Sequence, residues 1–276
     1  MGILDRKSRA AYRRLRPRIP AHPEGEHGML PSPSDPTARR PGIWPLFSFR
    51  GIRVFLHWSW ILVAVYFIND GRGLYSNIAW DIAQYVTLFL IVLLHEFGHA
   101  FATRQVGGTA DQILLWPFGG IAYVQTPPRP KAYLWGIAAG PLVNVALLPV
   151  LYGIGALAGY CVKTGAITDI TLAFDLLNFS EIIFLINLYM LIFNLIPLFP
   201  MDGGQMLRGL LWFKYGSVRS LEIAAIVALP VGAGGIIWAL VYRESLWMAL
   251  ILGLMVLQAW NTLQAIRRAR RERVIV

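Results

Sequence analysis

Long apolar runs alternate with short polar links along most of the chain. Six of them, at about 17 to 25 residues each, are long enough to cross the hydrocarbon core of a bilayer as a helix. They lie at 53–69, 83–105, 133–158, 181–200, 221–242 and 246–265. The pattern therefore predicts an all-α polytopic membrane protein with about six transmembrane helices.

One segment between the second and third runs breaks the helical pattern. Residues 112–116 and 121–125 are short apolar stretches separated by the sequence Pro-Phe-Gly-Gly at 117–120. This arrangement predicts a membrane-associated β-hairpin directly after the second span. Because non-helical backbone at membrane depth is tolerated only where protein or water satisfies it, we expect the hairpin beside a functional cavity. An amphipathic surface loop is the alternative interpretation.

Composition agrees with a membrane location and restricts the available chemistry. The 276 residues are 56% hydrophobic and 14% charged, whereas about a quarter of the residues of a soluble globular domain are charged. A single cysteine, Cys161, excludes an internal disulfide and any metal site built from several thiolates. Histidine and carboxylate side chains are therefore the ligands left for a metal ion.

Basic residues are concentrated at the two ends of the chain. The formal net charge is +10, and the clusters at 6–18 and 267–273 flank the apolar part. Such clusters set membrane topology and contact anionic lipid, so nucleic acid is not an expected partner. The basic residues of alternate loops favour both termini in the cytoplasm. We expect an integral multi-pass protein of the cell membrane.

Four regions follow from this organisation. Residues 1–43 are basic, rich in proline and without an apolar run, so they are expected to be a disordered cytoplasmic N-terminus with no cleaved signal peptide. Residues 44–215 are expected to form a membrane core. Residues 216–266 are expected to add a C-terminal pair of transmembrane helices, and 267–276 a basic cytoplasmic tail.

A pentapeptide of metal-ligand type lies in the second apolar run, where residues 95–99 read HEFGH. On a helix, this spacing places His95 and His99 on one face, where both can bind one ion. Zinc held by such a pair and a third ligand keeps a position open for water and lowers the pKa of that water, and Glu96 can then act as general base. Chance occurrence is disfavoured because ionisable residues inside a membrane helix are costly unless they pair or bind a metal.

A third protein ligand must come from another part of the chain. Asp202 closes the apolar run 194–201 and precedes Gly203 and Gly204. The prolines and glycines around this carboxylate are expected to unwind the helix and expose backbone beside it. Position alone is equally compatible with a helix-capping role for the aspartate.

Four stretches of the sequence together resemble the site-2 protease family of intramembrane zinc metalloproteases. They are VFLHWSW at 54–60, HEFGH at 95–99, PFGG at 117–120 with AGPLVN at 139–144, and NLIPLFPMDGG at 194–204. They cover most of residues 50–215, and Met201 departs from the leucine that is commoner before the aspartate. The sequence leaves no room for the PDZ or CBS domains of some members, so we expect a compact member.

The resemblance implies a zinc metalloendopeptidase that hydrolyses peptide bonds in or near transmembrane segments of membrane proteins. It implies one Zn²⁺ per chain, with His95, His99 and Asp202 as ligands and Glu96 activating the water. The implied partners are a transmembrane protein substrate and the lipid bilayer. A regulatory membrane protein is a further candidate partner.

Two asparagines, Asn144 and Asn194, are also placed near the centre by the resemblance. Orienting a ligand, stabilising an oxyanion, binding substrate and joining helices are open alternatives for each. His57 is left outside the catalytic set. The alternative functions are an inactive homologue that binds membrane proteins, which we would expect to have lost Glu96 or a ligand, and a metal transporter or sensor, for which the outer halves of the helices lack a polar path.

Overall fold

The computed structural model describes residues 42–70, 73–116 and 119–274, and the fold is given for these residues. The elements, in chain order, are β1 (Ile43–Phe49), β2 (Ile52–His57), α1 (Trp60–Asp70), α2 (Ile78–Gln105), β3 (Thr109–Trp116), β4 (Gly119–Gln125), α3 (Pro130–Lys163), α4 (Ile170–Leu195), α5 (Asp202–Val241) and α6 (Leu246–Val274). The predicted N-terminal region lies outside the described residues apart from its last two positions.

The helices from α2 to α6 are long and apolar enough to cross a membrane, which confirms the polytopic fold. They correspond to the second to sixth predicted spans. Two helices begin well before their predicted spans, α5 at Asp202 and α4 at Ile170. The start of α4 is set by Asp169, which accepts hydrogen bonds from the N–H groups of Thr171 and Leu172. The helix ends before Pro197, since the residue preceding a proline disfavours helical backbone.

The first predicted span, residues 53–69, is not one continuous helix. Its first part forms β2, and its second part forms the 11-residue helix α1, which is about 17 Å long and therefore shorter than the hydrocarbon core of about 30 Å. β2 pairs on both sides, antiparallel with β1 and parallel with β3. Because its neighbours satisfy its backbone, this apolar segment does not need to be helical.

The four strands form one sheet in the order β1-β2-β3-β4. The predicted hairpin is present: β3 pairs antiparallel with β4, from Thr109 opposite Gln125 to Trp116 opposite Gly119. Residues 117 and 118 of its turn lie outside the described residues. The buried sheet residues Ile52, Val54, Ala110, Ile113 and Leu115 pack with Val92, Leu93, Phe97 and Ala100 of α2. The sheet is therefore fixed against the helix that carries the HEFGH motif.

The C-terminal helices support the chain that leads into α5. A kink at Gly216, with φ 74°, divides α5 close to the predicted boundary between the membrane core and the C-terminal pair. Beyond the kink, Ala224 and Ala228 pack with α6 against Leu198 and Met201. The last two helices thus stabilise the segment that immediately precedes Asp202.

Candidate metal centre

The helix α2 brings both motif histidines into the protein interior. It begins after Asn77, whose side chain accepts a hydrogen bond from the N–H of Ala79. His95 and His99 follow at i and i+4 on one face and are only 3% and 7% exposed. Gly98 lets α3 approach this part of α2, since a Cβ there would lie 2.7 Å from the carbonyl oxygen of Ala139.

Asp202 meets the two histidines at the first residue of α5. Its Oδ2 lies 3.0 Å from Nε2 of His95 and 3.3 Å from Nε2 of His99, and the two Nε2 atoms are 3.1 Å apart. Asp202 is itself 8% exposed. The carboxylate is thus directed at the imidazoles, and not at the orphan N–H groups that a helix-capping residue would satisfy.

Hydrogen bonds at the Nδ1 atoms of His95 and His99 determine whether the Nε2 atoms can bind a metal ion. Nδ1 of His95 lies 2.5 Å from Oδ1 of Asn144, and Nδ1 of His99 lies 2.9 Å from the carbonyl oxygen of Gly136. Both partners are acceptors, so each Nδ1 carries a proton and donates it. In a neutral ring the Nε2 atom then has a free lone pair. Two nitrogen lone pairs and one carboxylate oxygen therefore point at one another.

Such a set of donors fits a cation at its centre. Zinc binds histidine nitrogen and carboxylate oxygen at about 2.0 to 2.2 Å, so neighbouring ligand atoms of a tetrahedral site are about 3.3 Å apart. The three observed separations are 3.0, 3.1 and 3.3 Å. His95, His99 and Asp202 can thus hold a metal ion together. Three protein ligands leave the fourth position open, as in catalytic zinc sites.

A glycine of α3 makes space for the imidazoles. A Cβ at Gly140 would lie 2.8 Å from Nε2 of His95 and still closer to the ring of His99. The absence of this atom allows the backbone of α3 to form one wall of the site. The sequence stretch AGPLVN therefore supplies two features of the site: Gly140, which allows the backbone of α3 to approach the imidazoles, and Asn144.

Gly140→Ala is expected to weaken metal binding at least about fivefold, because overpacking of this kind costs about 1 to 3 kcal/mol. Competition with a chromogenic chelator would measure the change. Gly153→Ala is the matched control on the same helix, since a Cβ at Gly153 meets no atom within 4 Å. Equal metal affinity of the two variants would contradict the assigned packing.

The asparagine behind His95 belongs to a buried pair. Asn144 donates from Nδ2 to Oδ1 of Asn187 at 2.8 Å, and Asn187 donates from its own Nδ2 to the carbonyl oxygen of Asn144 at 3.0 Å. Both residues are 0% exposed. These bonds orient the amide so that its oxygen faces His95. Asn187 was missed in the sequence, although a polar amide within the apolar run of α4 is a detectable signal.

The other candidate residues lie in different surroundings. Glu96 is 5% exposed and follows His95 on α2. Asn194 is half-buried in the last turn of α4, and no hydrogen bond among the described residues joins it to the three converging side chains. His57 ends β2, with Nδ1 2.5 Å from Oγ of Ser59 and its ring against Trp116.

Close backbone contacts hold Asp202 in place. A Cβ at Gly203 would collide with the carbonyl oxygens of Leu195 and Ile196, and one at Gly204 would lie 2.9 Å from the carbonyl carbon of Leu198. The end of α4 and the link to α5 therefore lie directly against the first turn of α5. The two glycines after Asp202 are required by this close approach.

Comparison with known proteins places the chain in a family. Residues 83–234 match the model of Peptidase family M50, a range that contains His95, Glu96, His99 and Asp202 and the asparagines at 144, 187 and 194. The match covers more than half of the chain. The chain therefore belongs to peptidase family M50.

Individual relatives agree with this assignment. A zinc metalloprotease of Methanocaldococcus jannaschii is 36% identical over 181 residues, which are 65% of this chain and 49% of that protein. The protein named Rip3 of Mycobacterium tuberculosis is 28% identical over 231 residues, 75% of this chain and 55% of its own length. The chain thus spans about half the length of the curated relatives it matches.

A solved structure shares the fold. The site-2 protease from Methanocaldococcus jannaschii aligns with a TM-score of 0.51 and 29% identity, covering 80% of this chain and 95% of the solved chain. The resemblance to the site-2 protease family is thereby confirmed.

Proposed function

We propose that this chain is an intramembrane zinc metalloprotease that hydrolyses peptide bonds in or near transmembrane segments of other membrane proteins. The observation that carries the proposal is the buried convergence of two imidazole lone pairs and one carboxylate oxygen, with Glu96 beside them on a membrane helix. Membership of peptidase family M50 supports the reaction class. Buried ionisable groups within membrane helices are functional sites by default.

His95, His99 and Asp202 hold one zinc ion in this proposal. When bound, zinc acts as a Lewis acid that polarises the scissile carbonyl and acidifies a water molecule. Glu96 accepts a proton from the attacking water while the oxygen of that water forms a bond to the carbonyl carbon. The same carboxyl then donates the proton to the leaving nitrogen as the C–N bond breaks. Burial of the four side chains excludes bulk water, which strengthens each of these electrostatic contacts.

Asn144 acts in this scheme as a positioning residue for His95. Asn144→Ala removes the acceptor of the Nδ1 proton, and loss of such a partner typically lowers metal affinity about 10 to 100-fold. Zinc titration against a competing chelator measures the effect. Asn261→Ala, at an exposed position of α6, serves as the control and should bind zinc as the unaltered protein does. Unchanged affinity of the Asn144 variant would remove this role.

A substrate segment must leave its helical conformation before its peptide bond can reach the site. We propose that the unwound segment adds to β4, which is one of the two edge strands of the sheet within the described residues. Backbone hydrogen bonds to β4 would compensate for the lost helical bonds. The sheet packs on α2, so a strand added there lies close to the motif helix.

Proline substitution tests the edge-strand role. Along β4, N–H groups point alternately toward β3 and away from it, so Ile121→Pro and Ala122→Pro remove one inward and one outward donor. The variant that loses the outward N–H should keep its fold and its bound zinc. Its cleavage rate should fall at least about fivefold, since one hydrogen bond is worth about 1 kcal/mol. The variant that loses the inward N–H is the control, because it disturbs the hydrogen bonds between β3 and β4. Cleavage at the original rate by both folded variants would exclude β-augmentation at this strand.

The cellular setting is also part of the proposal. The apolar helices support an integral membrane protein, which we place in the cell membrane, and the distribution of basic residues favours both termini in the cytoplasm. Residues 44–215 carry the catalytic groups, and we propose that Asn194 contacts either a metal ligand or the substrate. Residues 216–266 support this core, and 1–43 and 267–276 face the cytoplasm. The partners of the protein in this proposal are transmembrane protein substrates and a regulatory membrane protein.

The decisive experiment compares truncated membrane proteins and released fragments in cells that express either the intact chain or Glu96→Gln at equal levels. Fragments that require Glu96 would establish proteolysis and reveal the substrate. A fragment pattern that does not change across growth and stress conditions would favour an inactive binding protein or a metal transporter.

A further inference from the structure

A second concave site lies beside the candidate metal centre and is lined by other residues. A cavity of about 710 Å³ is formed where the end of α2, the start of α3 and the first half of α5 meet. It is lined by Val106, Arg129, Pro130, Lys131, Ala132, Trp135 and Phe213. Its volume is in the range of cavities that bind small molecules. None of the residues assigned to the metal centre lines it.

Two basic residues, Arg129 and Lys131, line the cavity. Arg129 and Lys131 are both exposed, and neither forms an ion pair within residues 42–70, 73–116 and 119–274. Arg129 is also the N-cap residue of α3 and makes no side-chain capping bond, so the first N–H groups of that helix add partial positive charge. Two unpaired cations beside a helix N-terminus favour an anionic ligand.

The lining of the cavity also includes aromatic side chains. Trp135 is 43% exposed and Phe213 is 51% exposed, which leaves both rings available for contact. Trp135 is held in its orientation because its Nε1–H donates to Oε1 of Gln105 at 2.9 Å. Tryptophan at the end of a membrane helix lies at the level of the lipid headgroups. The cavity therefore presents charge and apolar surface together at the depth where phospholipid headgroups and acyl chains meet.

We propose that this cavity is a binding site for an anionic phospholipid. The lipid phosphate contacts Arg129 and Lys131, and the glycerol and first acyl carbons lie against Trp135 and Phe213. A soluble phosphate shares only the charge contact and leaves the aromatic side chains unused. The site does not depend on the proposed protease activity, although it borders the metal centre: Trp135 directly precedes Gly136, whose carbonyl accepts the hydrogen bond from His99.

Lipid binding to the purified full chain in uncharged detergent tests the proposal, because no charged bilayer surface then attracts lipid nonspecifically. Phosphatidylglycerol and phosphatidylcholine would be titrated separately, with bound lipid per chain measured by native mass spectrometry. Arg129→Gln with Lys131→Gln is expected to weaken phosphatidylglycerol binding about 25-fold, at about fivefold per basic residue. Arg267→Gln with Arg268→Gln removes the same charge at exposed positions of α6 and should leave binding unchanged.

Each arm of the experiment has a result that overturns the proposal. Equal loss in the two double variants would assign binding to general basic charge. Equal affinity for phosphatidylcholine would exclude an anionic headgroup site. Displacement of the lipid by inorganic phosphate at comparable concentration would make the cavity a soluble phosphate site. Unchanged zinc content and thermal unfolding of both double variants confirm that the chains compared are folded.

Discussion

Glu96→Gln is expected to slow peptide-bond cleavage about 10² to 10⁴-fold, the contribution typical of a general acid–base residue. Glutamine has nearly the same shape as glutamate but cannot accept the proton of the attacking water. The three ligand atoms on His95, His99 and Asp202 are untouched, so bound zinc should stay at one ion per chain. Initial cleavage rates of a substrate identified from cellular fragments, together with elemental analysis of zinc, measure both quantities.

A surface glutamate provides the matched comparison for this substitution. Glu181 is exposed on α4, and Glu181→Gln changes the same functional group without approaching the metal centre. Its cleavage rate should equal that of the unaltered chain. A Glu96→Gln enzyme that cleaves at the original rate would show that another group accepts the proton, and Glu96 would lose its assigned role.

Asp202→Asn is expected to have the complementary effect, with loss of the metal itself. The substitution replaces the carboxylate of the proposed ligand set by a neutral amide and leaves two imidazoles to hold a divalent ion. Zinc affinity should fall at least about 100-fold, since loss of a residue that only hydrogen-bonds to a metal ligand already lowers metal affinity by up to about 100-fold. Elemental analysis after dialysis against a weak chelator would show zinc far below one ion per chain, with a parallel loss of cleavage.

Asp111→Asn is the corresponding control, because the Asp111 side chain is 72% exposed and its ion pair with Arg104 is long at 3.5 Å. It should retain zinc and activity. Full zinc occupancy in Asp202→Asn would contradict the assignment of the third ligand. The two aspartate variants together thus separate loss of a ligand from general loss of negative charge.

The local sequence pattern was sufficient to predict the residues of the site that lie on one helix. The spacing of His95 and His99 places their side chains on one face wherever a helix forms, and the apolar run around them predicts that helix. The hairpin after it was also predictable, because two short apolar stretches around proline and glycine have few other solutions. These features depend on residues close together in the chain.

Features that depend on distant contacts were less accessible. Residues 53–69 are as apolar as a membrane helix, but strand β2 forms there because β1 and β3 supply its backbone partners. Asn187 and Asn194 both lie in the apolar helix α4, and only the fold shows that Asn187 reaches Asn144. Hydropathy reports the environment of a segment and does not report which neighbours satisfy its backbone or its polar groups.

Several membrane-spanning segments, a helical HEFGH motif and a hairpin beside it were predictable from the amino-acid sequence, because short-range periodicity and composition decide these properties. Tertiary structure alone decided whether Asp202 caps a helix or joins the histidines 107 and 103 positions before it. The glycines at 140, 203 and 204 permit the close backbone contacts that bring α3 and α5 to the imidazoles. Such convergence is set by packing between distant segments, which no local pattern encodes.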